Sequence, residues 1–172
     1  IEHGGVYVIA GGSGVVGRII TRHLIQNYKA SIVWLGRSPE GSPSIQQRIS
    51  SFRDCEDVPW YIQADVTDLD LMQLTVKKVK GRHSRINGVL FLAIVFSAEN
   101  SVFETSEEEF LAVNGVKSVG SSHFYTAFES EPLDFLCIFS ASQAFSFSGA
   151  AKFSAYASGI CSSDNLIQSQ QK

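Results

Sequence analysis

An α/β fold, a parallel sheet with helices on both faces, is predicted from three observations. Five short apolar or β-branched runs alternate with stretches of helical periodicity. The fourth run, Val89-Leu90-Phe91-Leu92-Ala93, is apolar throughout, as expected of a strand covered on both faces. The first run ends in a string of glycines, where a strand-to-helix connection makes its tight turn.

Taken in order, Val6 to Ala10 is the first strand, and Ile19, Ile20, Leu24 and Ile25 set the periodicity of a helix over Arg18 to Gln26. Ser31 to Leu35 is the second strand. A Pro-, Gly- and Ser-containing loop from Pro39 to Ser44 leads to a helix around Ile45 to Phe52. Trp60-Tyr61-Ile62 follows Pro59 as the third strand. Thr67, three residues before Asp70, resembles a capping box for a helix reaching about Lys80. Ser106 and Glu109 form a second such box, opening a long helix that extends to Phe128. Phe135 to Phe139 is the fifth strand. A Ser-, Ala- and Gly-rich passage then precedes a helix from about Ser154 to the end.

No repeat or linker divides the 172 residues, so one domain is expected. With 44% hydrophobic and 18% charged residues the chain has the composition of a packed domain rather than a disordered one. A net charge of −3 gives no basis for a nucleic-acid partner. The longest apolar stretch, Val89 to Phe96, is of strand length, which argues against a membrane span. Ile1-Glu2-His3 leads directly into the first strand with no signal-peptide pattern. Cys55, Cys137 and Cys161 are odd in number and widely spaced, which suits reduced thiols and a cytoplasmic setting. The four histidines show no metal-ligand spacing, so no metal is expected. Glu107-Glu108-Glu109 reads as a solvated first helical turn. The serines from Ser140 to Ser163 contain no hydrolase elbow.

Gly12-Ser13-Gly14-Val15-Val16-Gly17, with Gly11 in front, matches G-x-G-x-x-G between a buried strand and a helix. This is the Rossmann-type context. Glycines let the backbone approach a pyrophosphate, and the helix N-terminus offers free amides and a favourable dipole. An ordinary Gly-rich turn is the plainer alternative. After strand two an NAD site usually carries an acidic residue for the ribose 2′-hydroxyl. Here Gly36-Arg37-Ser38 stands in that place. A guanidinium and a hydroxyl suit a 2′-phosphate, so NADPH is favoured over NADH, unless Arg37 is only a surface charge. Asp65, at the carboxyl end of strand three, either accepts a hydrogen bond from an adenine amino group or caps the next helix.

Tyr156 and Lys117 are the remaining candidates for chemistry. A phenol acts as a general acid near neutral pH once a nearby cation lowers its pKa from about 10. The combined pattern resembles the short-chain dehydrogenase/reductase superfamily, and within it the ketoreductase domains of modular polyketide synthases. The resemblance rests on Gly4-Gly5-Val6-Tyr7-Val8-Ile9-Ala10-Gly11-Gly12, Leu35-Gly36-Arg37-Ser38, Ala64-Asp65-Val66-Thr67-Asp68, Ile86-Asn87-Gly88-Val89, Val116-Lys117-Ser118-Val119-Gly120, Glu131-Pro132-Leu133-Asp134-Phe135, Phe139-Ser140 and Tyr156-Ala157. Ala93-Ile94-Val95 resembles the Ala-Ile-Val of ketoreductases from assembly lines fed by separate acyltransferases.

The resemblance implies NADPH-dependent reduction of a β-keto group on a chain tethered to an acyl carrier protein, beside neighbouring synthase domains. Tyr156 matches the proton donor, and Lys117 matches the lysine supplied by the long helix before strand five. The implied cofactor site comprises Gly11, Gly12, Ser13, Gly14, Val15 and Gly17, with Arg37, Ser38, Asp65, Val66 and Ala93 around it.

The chain departs from the family in four places, the mildest being Ala10 where the first strand commonly has the threonine of Thr-Gly-Gly. The usual Phe-Ser-Ser becomes Phe139-Ser140-Ala141-Ser142-Gln143, so the polarising serine is Ala141 in strict register, and Ser142 takes the role if the loop shifts. The spacing to Tyr156 is longer by about two residues around Phe147 to Gly149, and Ile160 replaces an asparagine common four residues past the tyrosine. Phe145, Phe147 and Phe153 line an acyl pocket or belong to the core, with core favoured. A non-catalytic domain of the same fold and a free-standing reductase of small ketones stand as rival readings. The resemblance also leads to the expectation of at least one further strand and a substrate-covering lid beyond Lys172, so that residues 1–172 form an incomplete NADP-binding catalytic subdomain.

Overall fold

The computed structural model describes residues 1–96, 101, 103–146 and 153–170. It contains five βα units: β1 (Val6–Ala10), α1 (Val15–Tyr28), β2 (Ser31–Gly36), α2 (Pro43–Ser50), β3 (Trp60–Gln63), α3 (Leu69–Arg82), β4 (Gly88–Phe91), α4 (Glu107–Phe128), β5 (Phe135–Ile138) and α5 (Ser154–Gln170). A 3₁₀ turn, Ser142–Ala144, lies between β5 and α5. All four strand pairings are parallel, in the order β3-β2-β1-β4-β5. Order reverses at β1, where the next strand is added on the opposite side, and such a switch point opens a crevice at the carboxyl ends of the strands.

Alternation along the strands divides the core into two layers. Val6, Val8, Ala10, Val33, Leu35, Val89 and Phe91 face α3 and α4, meeting Met72, Val76, Val116, Phe124 and Phe128. Tyr7, Ile9, Ile32, Trp34 and Tyr61 face the other way, onto Leu24 and Ile25 of α1, Ile45 of α2, and Phe52. The Trp34 indole meets Phe52 edge-on and donates from Nε1 to the Thr21 hydroxyl at 2.7 Å, which satisfies two buried polar groups at once. Among the described residues no helix is long and apolar enough to cross a membrane.

Several element ends differ from the sequence reading. α1 starts at Val15 rather than Arg18, because Gly14 acts as its N-cap. α2 spans Pro43–Ser50, since Pro43 sits at the first helical position with Ser42 before it. The cap of α3 is Asp68, not Thr67: its carboxylate accepts from the Leu71 amide at 2.9 Å, while the Thr67 hydroxyl donates to Asp65. The cap of α4 is Ser106 as expected, with its hydroxyl accepting from the Glu109 amide at 3.2 Å. β4 ends at Phe91, although the Leu92 amide still reaches the Ala10 carbonyl before the chain turns away.

Asn87 ties together the amino ends of β1, β4 and β5. Only 4% exposed, it accepts at Oδ1 from the Val6 amide at 2.9 Å and donates from Nδ2 to Glu2 and Asp134. Its own amide donates to Val6, and its carbonyl accepts from the Asp134 amide. Removing the side chain strips a buried amide of its acceptor. Asn87→Ala should therefore lower unfolding stability by about 2 kcal/mol, read as a shift in the denaturant midpoint at unchanged slope.

Candidate active site

The glycine turn is shaped by close approach. Gly11 has φ +78°, and a Cβ there would lie 2.9 Å from the Ala93 amide nitrogen, so the chain leaving β4 passes directly over it. A Cβ on Gly17 would reach the Gly12 carbonyl oxygen at 2.4 Å, and one on Gly12 would enter the Trp34 ring, so α1 sits hard against the turn and the turn against β2. Gly14 caps α1 with no side-chain bond, and no acidic residue occupies the first turn. The helix amides are thus left to a ligand, and the dipole favours an anion.

Gly11, Ser13 and Gly14, together with Ala93, Ile94 and Val95, line a cleft at the carboxyl ends of the strands. Arg37 and Val66 line it as well. Of the other residues assigned from sequence, Gly12 and Gly17 shape the turn from behind, and Val15, 67% exposed, opens the helix toward solvent. Ser38 contributes its carbonyl to the Tyr61 hydroxyl at 2.8 Å. Asp65 accepts at Oδ1 from both the Thr67 amide and the Thr67 hydroxyl, so it shapes the turn into α3. Arg48 of α2, which the sequence reading missed, lines the cleft beside Arg37. The available signal was a second arginine in the short helix following the Arg37 loop. Among the described residues neither guanidinium is in a salt bridge. Bare amides, a glycine surface and two uncommitted arginines fit a dinucleotide carrying an extra phosphate.

Beyond this cleft lie the candidate catalytic side chains. Lys117, on α4 beside the cleft residue Val116, is 1% exposed. Its Nζ donates to the Phe139 carbonyl at 2.8 Å and lies 5.3 Å from the Phe91 ring centre. Burial brings its pKa down to about 8, and the negative charge of Asp164 acts in the opposite direction. Tyr156 is half-buried near the start of α5, meeting Phe96 edge-on at 5.5 Å. Burial pushes its phenol up. Lys117 is engaged with backbone, and no hydrogen bond joins it to Tyr156 among the described residues. Ser142 begins the 3₁₀ turn with an exposed hydroxyl, 3.4 Å from Gln143 Oε1, and Ala141 precedes it in extended backbone. Ser140 donates to Asp164 Oδ2 at 2.7 Å. Asp164 was also missed from sequence, where its signal was a place two turns beyond Tyr156 on one helix.

The sequence pattern of the KR domain family matches residues 5–172. The chain belongs to the KR domain family. It is 36% identical over 167 residues to the polyketide synthase PksN of Bacillus subtilis and 37% identical over 168 residues to the polyketide synthase ThaG of Burkholderia thailandensis. Each match covers 97% of this chain and 3% of the relative's length. Among solved structures, an N-terminal ketoreductase from the macrolactin assembly line superposes with a TM-score of 0.90 at 26% identity, covering 99% of this chain and 34% of that one. A ketoreductase domain from the bacillaene assembly line gives 0.82 at 25% identity, covering 98% and 41%. A short-chain dehydrogenase from Streptomyces avermitilis, 19% identical with a TM-score of 0.77, shares the fold.

Of the three phenylalanines for which sequence favoured a core place, the two that are described lie outside the two core clusters. Phe145 is 82% exposed, whereas Phe153 is half-buried against Phe96, with ring centres 5.2 Å apart. Phe147 and the extra spacing before Tyr156 lie outside the described residues.

Buried Lys117 gives the KR domain a definite pH signature. A lysine whose native pKa is about 8 against 10.5 when unfolded binds fewer protons in the native state between those values. Native stability conferred at this site is therefore lowest below pH 8 and rises toward pH 10.5. Relative to Lys117→Met, the unaltered protein should gain roughly 3 kcal/mol across that window, measured by denaturant unfolding at stepped pH.

Proposed function

We propose that this KR domain reduces the β-keto group of an acyl chain held as a thioester on an acyl carrier protein, with NADPH as reductant, within a polyketide synthase fed by separate acyltransferases. The observation that carries the reading is the continuity of one wall: Ala93 to Val95 line the arginine-bearing cleft, and the next residue, Phe96, packs on Tyr156. A bound nicotinamide would supply hydride to the ketone carbon. Tyr156 gives its phenolic proton to the ketone oxygen, completing a secondary alcohol. Lys117 keeps two N–H donors after its bond to Phe139, and its positive charge stabilises the phenolate left behind. Ser142 supplies the hydroxyl that polarises the ketone. The carrier protein and the neighbouring synthase domains are the partners, in the cytoplasm.

One observation favours a second reading, a non-catalytic KR domain retained for architecture. Ala141 occupies the strict register of the polarising serine. Tight NADPH binding without turnover on any ketone would support it.

In the polypeptide that carries this chain, NADPH oxidation with a β-ketoacyl thioester separates the two. Tyr156→Phe should lose at least about 100-fold in kcat, and Ser142→Ala about 100-fold or more. Equal activity of Tyr156→Phe and the unaltered protein overturns the assignment.

Cofactor choice has its own test. Arg37→Gln and Arg48→Gln should each weaken binding of 2′,5′-ADP about tenfold while leaving 5′-AMP within about twofold. The double variant should lose its preference for NADPH over NADH in titration calorimetry.

A further inference from the structure

The exit of β5 is held from two sides. From α4, Lys117 Nζ donates to the Phe139 carbonyl at 2.8 Å. From α5, Asp164 accepts the hydroxyl of the next residue, Ser140, at 2.7 Å. The two helices are locked together beneath this point. A Cβ on Gly159 would lie 2.9 Å from Lys117 Cβ and from the Asn114 carbonyl oxygen. Asn114 Nδ2 also donates to the Ser158 hydroxyl at 2.6 Å. Ammonium, strand exit and the helix carrying Tyr156 therefore share one set of contacts.

We propose that Asp164 is the positioning residue that sets the charge and placement of Lys117, gripping Ser140 so that the Phe139 carbonyl stays under the ammonium while α5 presents Tyr156. This rests on the ketoreductase reading for its effect on turnover, though not for its effect on Lys117. The neighbours of Lys117 explain why a carboxylate is needed. From β4 it meets the Phe91 ring, from the β5 exit a neutral carbonyl, and from α5 the backbone near Gly159 together with Asp164. Among the described residues Asp164 is the charged group acting on it. A buried ammonium with only a carbonyl and a ring face beside it loses its proton readily. A carboxylate nearby opposes that loss, and a charged lysine is what the departing phenolic proton requires.

Two variants separate charge from grip. Asp164→Asn keeps an oxygen acceptor for Ser140 and removes the charge. Ser140→Ala keeps the charge and removes the bond. The readouts are the titration midpoint of Lys117 Nζ, followed by NMR on selectively labelled lysine in the whole polypeptide, and the pH profile of kcat with NADPH and a β-ketoacyl thioester. Asp164→Asn should lower the Lys117 midpoint by roughly one unit, move the alkaline limb of kcat down with it, and leave KM for NADPH within about twofold. Ser140→Ala should lower kcat about tenfold or less without moving the midpoint. An unchanged Lys117 midpoint in Asp164→Asn overturns the proposal, whatever the activity. A shifted midpoint in a protein that turns over no ketone supports the coupling and counts against the ketoreductase reading instead.

Discussion

A cationic side chain buried at the junction of α4, β4, β5 and α5 is the constraint that orders the carboxyl-terminal half of this domain. An ammonium in a low-dielectric interior must find hydrogen-bond acceptors or negative charge, or give up its proton. Lys117 finds a carbonyl at the end of a strand, a ring face beneath it and a carboxylate across the strand exit. That arrangement exists because α5 approaches α4 closely at Gly159, where any side chain would strike both Lys117 and Asn114. Separating the helices to admit a Cβ would move Asp164 away from Ser140 and Tyr156 away from Phe96. The lysine, the glycine and the tyrosine are thus parts of a single packing solution.

The amino-terminal half follows a different logic, in which absent side chains matter more than present ones. Trp34 occupies the space that a Cβ on Gly12 would need, and α1 rests on the Gly12 carbonyl through Gly17. The large indole fixes β2 against α1 through Thr21, and β2 delivers Arg37 just past its end. The two halves meet where the chain leaves β4. Its backbone crosses Gly11 at Ala93 and arrives, three residues later, against Tyr156. A nicotinamide dinucleotide lying along that segment would span from the arginines to the phenol.

Features governed by local pattern could be read from the sequence. The strand Val6–Ala10 and the Ser106 cap stand as read, because a short continuous apolar run and side-chain capping are decided within a few residues. The assignment of the α3 cap to Thr67 failed for a local reason too. Asp65 draws the Thr67 hydroxyl into its own turn, leaving Asp68 to meet the helix amides. Arg48, Asp164 and the Phe139 carbonyl were missed for the opposite reason. Each joins this region through a contact across elements, and the faint signals that Arg48 and Asp164 carry in sequence gain meaning only once the helices are packed. The expected pairing of lysine with tyrosine shows the same limit: motif matching located both residues, but their partners depend on how two helices pack.

The departure at Ala141 takes on a different meaning in this geometry. Ala141 is in extended backbone, with φ −146° and ψ 161°, so residues on either side of it project to the same face. Ser140 uses that face to reach Asp164 on α5, the helix that also carries Tyr156. By alternation Ser142 leaves the backbone on the α5 side, and Ala141 on the other. The hydroxyl of Ser142 is held only by a 3.4 Å contact with the neighbouring Gln143 side chain, a weak tie. A hydroxyl at position 142 is therefore on the α5 side of the chain, where one at position 141 would not be. It stands on the first residue of a 3₁₀ turn, past the strand exit where Lys117 holds the Phe139 carbonyl and Asp164 the Ser140 hydroxyl. Donors that stabilise developing charge act through being fixed in advance. Ser142 is thus on the helix side of the chain but less firmly held than the strand exit beside it.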